Sequence, residues 1–377
     1  MNLLVIDSIA EVSASDWDRL NHDGNPFNSH AFLLAAEGHG ATTAQMGWYP
    51  HHLILKHDDR LLGALPLFAR THSFGDFSHD WSWSSAFERM GLPYYPKLVS
   101  GHPYTPTSGP RFLIAPDADH AKVRDVLLES ALELTQELDA SCWQALFLRE
   151  EELHALKAEG LLLRRGYQFH WHNREYRDFE DFLATFSADK RKKAKRERRR
   201  VEESGLSIQE LHGDEIPPQL WASIHRHYLS TFHQYGNHPA FSRDFFAEVG
   251  PALGHRMVLF LAYEGERHVA TAICYRDDQT LYGRHWGADV DYHSLHFELC
   301  LYRGIDYCIR HGLQRFEPGA QGQHKLSRGF MPVDTWSAFW VRDCRMRQAI
   351  GEYLTREQHV ISAYQDEMAE HAPFKSA

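Results

Sequence analysis

The run FEPGAQGQHKLSRGF (316–330) gathers Glu317, Gln321, His324, Lys325 and Arg328 within a dozen positions. These side chains supply a carboxylate, an imidazole with a near-neutral ordinary pKa and two cations. That set can move a proton and hold an anion or a developing oxyanion. Upstream, Leu295, Leu299, Tyr302, Ile305 and Ile309 recur at helical spacing, and at 100° per residue Glu298 falls within their apolar arc. A carboxylate placed there is either paired, with Arg284 or another arginine, or raised in pKa and available as a base or an ammonium anchor. Glu298, His324 and Glu317 are therefore the candidate catalytic residues. Gln321, Lys325 and Arg328 are candidate substrate contacts, against the plainer reading of this run as a solvated, glycine-permitted turn.

Two further patterns carry possible chemistry. In TLYGRHWGA, strand alternation puts Tyr282, Arg284 and Trp286 on one face, where they form either a substrate wall or the cover beneath a helix. From Asp189 to Arg200 the chain places nine basic against two acidic residues, although its overall net charge is −11. On a helix, Leu183, Phe186, Ala194 and Val201 make a narrow apolar seam that leaves most of these cations on exposed faces. Such runs are commonly solvated surface; as a functional feature, Lys190, Arg191, Lys193 and Arg196 are candidate phosphate contacts. No aromatic residues interleave with the charges, which favours backbone contact over base stacking. In the first half, Tyr95, Lys97 and Arg111 are candidates for an acceptor-binding loop.

Elements must position these residues, and 377 residues with 43% hydrophobic composition can build two domains around large cores. The first half reads as a strand LLVIDSI, a hairpin turning at Asp58-Asp59, an elaborate loop over 80–113, a helix over 119–139 and a strand CWQALFL. The segment FEDFLATFSADKRKKAKRERRRVEESG is predicted to be helical as far as Gly205. The second half continues with strand SIQEL, helices, a three-stranded meander, a long helix over 294–311, a strand, a short helix and a last strand. Both halves carry a similarly placed hairpin, which suggests a structural duplication with domains 1–172 and 173–377. The five cysteines are scattered and never form C-x-x-C, H-E-x-x-H is absent, and no metal site is expected. The start lacks a basic leader and no apolar stretch is long enough for a membrane span, so a cytoplasmic protein is expected.

The strings FHWHNREY, DKRKKAKRERRR, TLYGRHWGA, LHFELCLYRGIDYCI, FEPGAQGQHKLSRGF and WSAFWVRD occur in this order, after NPFNSHAFL, GWYP, DWSW, YYPKL and PYTPTSGPR. Over nearly its whole length the chain thus resembles a bacterial family of predicted N-acyltransferases, or peptidoglycan-biosynthesis-like proteins, similar to the Fem aminoacyltransferases of the GNAT superfamily. The resemblance implies an α/β (mixed α+β) fold of tandem GNAT-like domains, each a largely antiparallel central sheet flanked by helices, with a cleft at or near their junction. It places the run bearing His324 and Lys325, which follows a strand, beside the acyl-transfer cleft. The activity implied is an N-acyltransferase moving an acyl or aminoacyl group from a thioester or ester donor onto an amine by direct attack. An aminoacyl-tRNA-dependent transferase acting on a peptide or cell-wall precursor, and a non-catalytic anion- or RNA-binding protein, stand as alternatives. No tightly bound cofactor is implied. The donor would be acyl-CoA, a carrier-protein thioester or aminoacyl-tRNA, and the partners an amine acceptor (small molecule or peptide) with tRNA or acyl carrier protein. Two residues depart from the family pattern: Gln323 stands where Q-G-E-H-K is expected, and His285 where tyrosine is expected. The junction GADVDYHSLHFEL also lacks the glycine-rich turn that binds pyrophosphate in acetyl-CoA-dependent relatives, keeping only Gly287 beside Asp289 and Asp291. Ordinary CoA binding is not expected there.

Overall fold

The computed structural model describes residues 1–319 and 322–375; the candidate contact Gln321 lies outside them. The chain divides into two compact units, Met1–Tyr167 with Asp334–Ala363, and Gln168–Val333 with Tyr364–Ala377. The division differs from the expected one at 172/173 in two ways. It falls slightly earlier, and a segment beginning at Asp334 returns to the first unit, a chain path that hydrophobic patterning does not record.

The first unit begins with β1 (Asn2–Ile6), α1 (Ala14–Leu20), α2 (His30–Gly38), β2 (Trp48–Pro50), β3 (His52–His57), β4 (Arg60–Leu65) and β5 (Phe68–Arg70). It continues with α3 (Trp81–Arg89), β6 (Lys97–Ser100), β7 (Leu113–Ile114), α4 (His120–Glu137), β8 (Cys142–Ala145) and α5 (Glu150–Ala158). One sheet has the order β1-β3-β4-β7. Its hairpin turns at Asp58, which adopts φ +52°. Leu53, Leu55 and Leu65 from this hairpin pack against Val123, Leu127 and Ala131, which recur every fourth residue along α4. The segment 80–113, expected to be an elaborate loop, contains α3 and β6. Trp83 and Phe87, one helical turn apart, bury the inner face of α3, and all four residues of β6 are buried. This patterning is too short to stand out among Pro, Gly and Tyr.

In the second unit lie the end of β9 (Leu162–His172), from Gln168 onward, and α6 (Phe179–Ala184), α7 (Ala188–Glu203), β10 (Leu206–His212), α8 (Trp221–Tyr235) and α9 (Arg243–Leu253). There follow β11 (Met257–Glu264), β12 (Arg267–Arg276), β13 (Thr280–Ala288), α10 (Leu295–Phe297), a π turn (Glu298–Tyr302), α11 (Arg303–Arg310) and β14 (Arg315–Glu317). β15 (Met331–Val341) and α12 (Cys344–Glu370) carry the chain onward, and β15 pairs with β8 through Ala338–Val341 in the first unit. The sheet of the second unit has the order β10-β11-β12-β13-β14-β9, antiparallel except for β13 with β14. The fold is therefore mixed α/β with largely antiparallel sheets flanked by helices. The helix expected through to Gly205 breaks between α6 and α7, because Phe186 bridges Phe374 and the Ser187 amide donates to the Pro373 carbonyl. Among the described residues no helix is long and apolar enough to cross a membrane.

Gly287 survives in the junction for packing. A Cβ there would lie 1.6 Å from the His227 carbonyl oxygen of α8. Gly287→Ala should destabilise the protein by about 3 kcal/mol, read as a lowered urea midpoint. Gly38→Ala, where the added methyl meets nothing within 4 Å, should leave the midpoint unchanged or slightly raised.

Candidate functional site

β13 and β14 pair in parallel over Thr280–Tyr282 and Arg315–Glu317, where β14 ends. Just beyond, β13 carries a bulge. Gly283 opposes Cys274 and His285 opposes Ile273, leaving Arg284 as the extra residue. The bulge cancels the simple alternation expected for this strand. Tyr282 and His285 now share a face, while Trp286 turns to the other, where its ring lies 5.4 Å from that of His296. Tyr282 is fully buried and donates to Asp277 Oδ2 at 2.6 Å, a structural rather than a substrate contact. His285 sits among Tyr228, Phe241 and Phe246, and burial holds its pKa well below the usual imidazole value. Arg284 stays at the bulge with its Nε buried, and burial lowers its pKa to about 10.

The segment after β14 forms a short 3-10 turn, Gln323–Arg328, between Gly322 (φ +122°) and Gly329 (φ +93°). His324 keeps much of its surface exposed, with its ring 6.0 Å from His296 and 5.6 Å from Phe297. Partial desolvation and then the charges of Lys325 and Arg328 lower its pKa, so it is neutral at neutral pH. The same causes, with His324 added, hold His296 at about 4. Lys325 is buried, donates to the Gly319 carbonyl at 2.7 Å and has its pKa lowered by burial to about 8. Arg328 is not free for substrate. It binds Glu197 through two bonds of 3.0 and 2.7 Å, donates to the His324 carbonyl and stacks 3.4 Å from the Phe297 ring centroid.

Glu298, 3% exposed, accepts from Arg198 at 3.2 Å through both oxygens and from Arg303 at 2.9 Å. Of its two sequence readings, the structure realises the paired one, although the partners are not Arg284. The two guanidinium groups thus occupy both of its oxygens. Glu317 is buried, its Oε1 3.2 Å from Arg315 Nε, and its charge acts on Tyr282 and Arg284.

The basic run forms α7 as expected, with Ala194 and Val201 buried. Among the described residues no carboxylate lies within ion-pair distance of Lys190, Arg191, Lys193 or Arg196. Sequence reasoning missed Glu197, which is buried between Arg328 and the hydroxyl of Tyr302. The signal was present: Ala194, Glu197 and Val201 are spaced three and four apart, so the acid lies on the inner seam. In the first unit, Lys97 is 0% exposed and ion-paired with Asp76 at 2.9 Å and with Asp80. Burial, which lowers its pKa, is outweighed by these two carboxylates, so Lys97 stays charged. Arg111 is buried and donates to the carbonyls of Leu146, Thr107 and Phe147. The acceptor-loop expectation therefore fails for Lys97 and Arg111, which stabilise the loop; Tyr95 alone of the three remains half-buried.

Where a glycine-rich turn would bind pyrophosphate, Asp289 is held by Arg226 Nε at 3.0 Å and by His227 Nε2 at 3.3 Å. His227 Nδ1 continues to Thr271 Oγ1 (2.8 Å), which lies 3.0 Å from His268 Nε2, and His268 Nδ1 reaches Ser223 Oγ (2.7 Å). Burial, together with the neighbouring cations, holds both imidazoles at about 4.

The model of the FemAB_like family, described as peptidoglycan biosynthesis/recognition, matches residues 8–376. No curated protein matches the chain. Among solved structures, FemX is similar with a TM-score of 0.54 at 11% identity, covering 93% of this chain and 100% of that one. L-PGS from Bacillus licheniformis is similar with a TM-score of 0.50 at 11% identity, covering 81% and 88% respectively. At such identities the likeness is one of fold.

The His227–His268 pair makes stability depend on pH. Both folded-state values lie below the ordinary 6.5, so the unfolded chain binds more protons between about pH 6.5 and 4. Stability should be complete above that window and decline as pH falls through it, by on the order of 3 kcal/mol for the first ring charged. Urea midpoints at pH 7.5 and 5 measure this, and His268→Gln should flatten the difference.

Proposed function

The chain belongs to the FemAB-like family, and from that premise we propose that it is a cytoplasmic transferase moving an aminoacyl or acyl group onto an amine. The observation that carries this reading is the short turn bearing His324 and Lys325, which follows β14 and whose Lys325 donates to the carbonyl of Gly319, beside Gly283 at the β13 bulge. A neutral imidazole and a buried cation next to a bulged strand can serve direct acyl transfer. The amine attacks the donor carbonyl and His324 takes its proton. Lys325 and Arg284 stabilise the oxyanion, and the carbon–oxygen bond breaks as the leaving oxygen is protonated. Glu298 takes no part in this step, since two arginines occupy its carboxylate.

For the donor, we favour an ester on a phosphate-rich carrier, namely aminoacyl-tRNA, with a small-molecule or peptide amine as acceptor. Two features support this choice. On α7, exposed Lys193 and Arg196 and half-buried Lys190 and Arg191 have no carboxylate partners among the described residues. The CoA pyrophosphate position is instead filled by the Asp289 carboxylate, bound to Arg226 and His227. A carrier-protein thioester remains the second donor, favoured if phosphate contacts prove few.

Fluorescence polarisation with labelled aminoacyl-tRNA at two salt concentrations tests the donor. Four phosphate contacts should give a log–log slope of about −3, reduced when Lys193 and Arg196 are changed to Gln, with acetyl-CoA failing to compete. Displacement of a CoA probe without tRNA binding would establish a thioester donor instead. The pH–rate profile tests the chemistry. Activity should rise with pH through a value below 6.5 as His324 becomes neutral, then fall through about 8 as Lys325 loses its charge. His324→Asn should remove the rising limb and lower kcat by roughly 10²–10⁴. Glu298→Gln should lower stability and leave both limbs in place.

A further inference from the structure

The second unit holds a cavity of about 110 Å³ on which the transfer reaction makes no demand. Its apolar walls come from the rings of Trp171, Tyr176 and Phe374 and from Met331, while His172 and Arg174 line it beside them. Phe374 is held in place by the backbone bridge to Phe186 and by ring packing against it at 5.6 Å. The cavity is therefore built from three separated pieces of chain.

Its polar character is one-sided. Arg174 places its guanidinium 5.6 Å from the Phe374 ring centroid, and among the described residues no carboxylate lies within ion-pair distance of it. The indole nitrogen of Trp171, a side chain 1% exposed, has no hydrogen-bond partner among the described residues. A buried N–H without a partner is costly, and natural sites rarely leave one so. The local field is positive. Burial lowers the pKa of His172, and Arg315 and Arg174 lower it further, while His170, which also lines the cavity, is held well below the usual range by burial and then Arg315. Arg315 itself is partly offset by Glu317, 3.2 Å away, which leaves Arg174 as the uncompensated cation.

We propose that this cavity binds a small monocarboxylate with a compact apolar body, its carboxylate on Arg174 and its body among Trp171, Tyr176, Met331 and Phe374. A cavity of about 150 Å³ accommodates benzene, so this one suits a body of about three to six carbons. Carboxylate recognition follows from the guanidinium fork, which also excludes cations. Gly329, which closes the turn bearing His324 and Lys325, forms part of the wall, so the ligand would sit directly behind that turn.

Calorimetric titration of the full chain at neutral pH with butyrate and benzoate, against butanamide and benzamide, tests the proposal. Neither donor nor acceptor of the transfer reaction enters this assay, so its result is independent of that reading. The carboxylates should bind at least about tenfold more tightly than their amides. Arg174→Gln should remove that preference, while Arg177→Gln, at a surface arginine paired with Asp181, should not. The indole N–H resonance of Trp171, assigned by its loss in Trp171→Phe, should shift when benzoate is added. Equal affinity for acids and amides, undiminished benzoate affinity in Arg174→Gln, or no binding to the unaltered protein would each overturn the assignment.

Discussion

A helix carrying nine cations in twelve positions has to be held against its domain by something other than a seam of two small apolar residues. In this protein the anchor is a carboxylate inside the basic run itself. Glu197 points inward, takes both nitrogens of the Arg328 fork and accepts from Tyr302, while its neighbour Arg198 reaches Glu298. Removing one partner from such a buried arrangement typically costs about 3–5 kcal/mol, because the charge left behind stays desolvated. The turn with His324 and Lys325, the π turn and α7 are thereby locked to one another. The remaining cations of α7 are free to face outward because the inward ones are neutralised.

The element order of the second unit was legible because the meander strands are short apolar runs and each turn announces itself with Asp-Asp or Glu-Gly. Gly265, at φ +60°, shows the physical demand behind one such signal. Three features escaped the sequence. The bulge at Arg284 moves every following side chain of β13 to the opposite face, and a single extra residue leaves no mark on composition. α3 and β6 are short and embedded among residues typical of loops. The identity of the partners of Glu298 is the third: they come from α7 and from one turn further along its own helix, contacts that only tertiary packing decides.

The large number of histidines acquires a structural meaning. His170, His227, His268, His285 and His296 all have lowered pKa values, in each case with burial as the leading cause. At His170, His227 and His268 the imidazole serves as a neutral polar ring in hydrogen bonds, while His285 and His296 pack against aromatic neighbours largely edge-on. It lets buried polar atoms be satisfied without bringing in formal charge.

The crossing of the chain between units has a consequence for synthesis. The residues of β15 that pair with β8, and the start of α12, belong to the first unit, yet they are translated only after the whole segment 168–333. At typical elongation rates the ribosome needs roughly ten to thirty seconds to produce that interval. Throughout it the nascent first unit carries β8 with an open edge, a template for wrong pairing. The order of translation thus places the demand for chaperone protection on the first half of the polypeptide, even though that half emerges first.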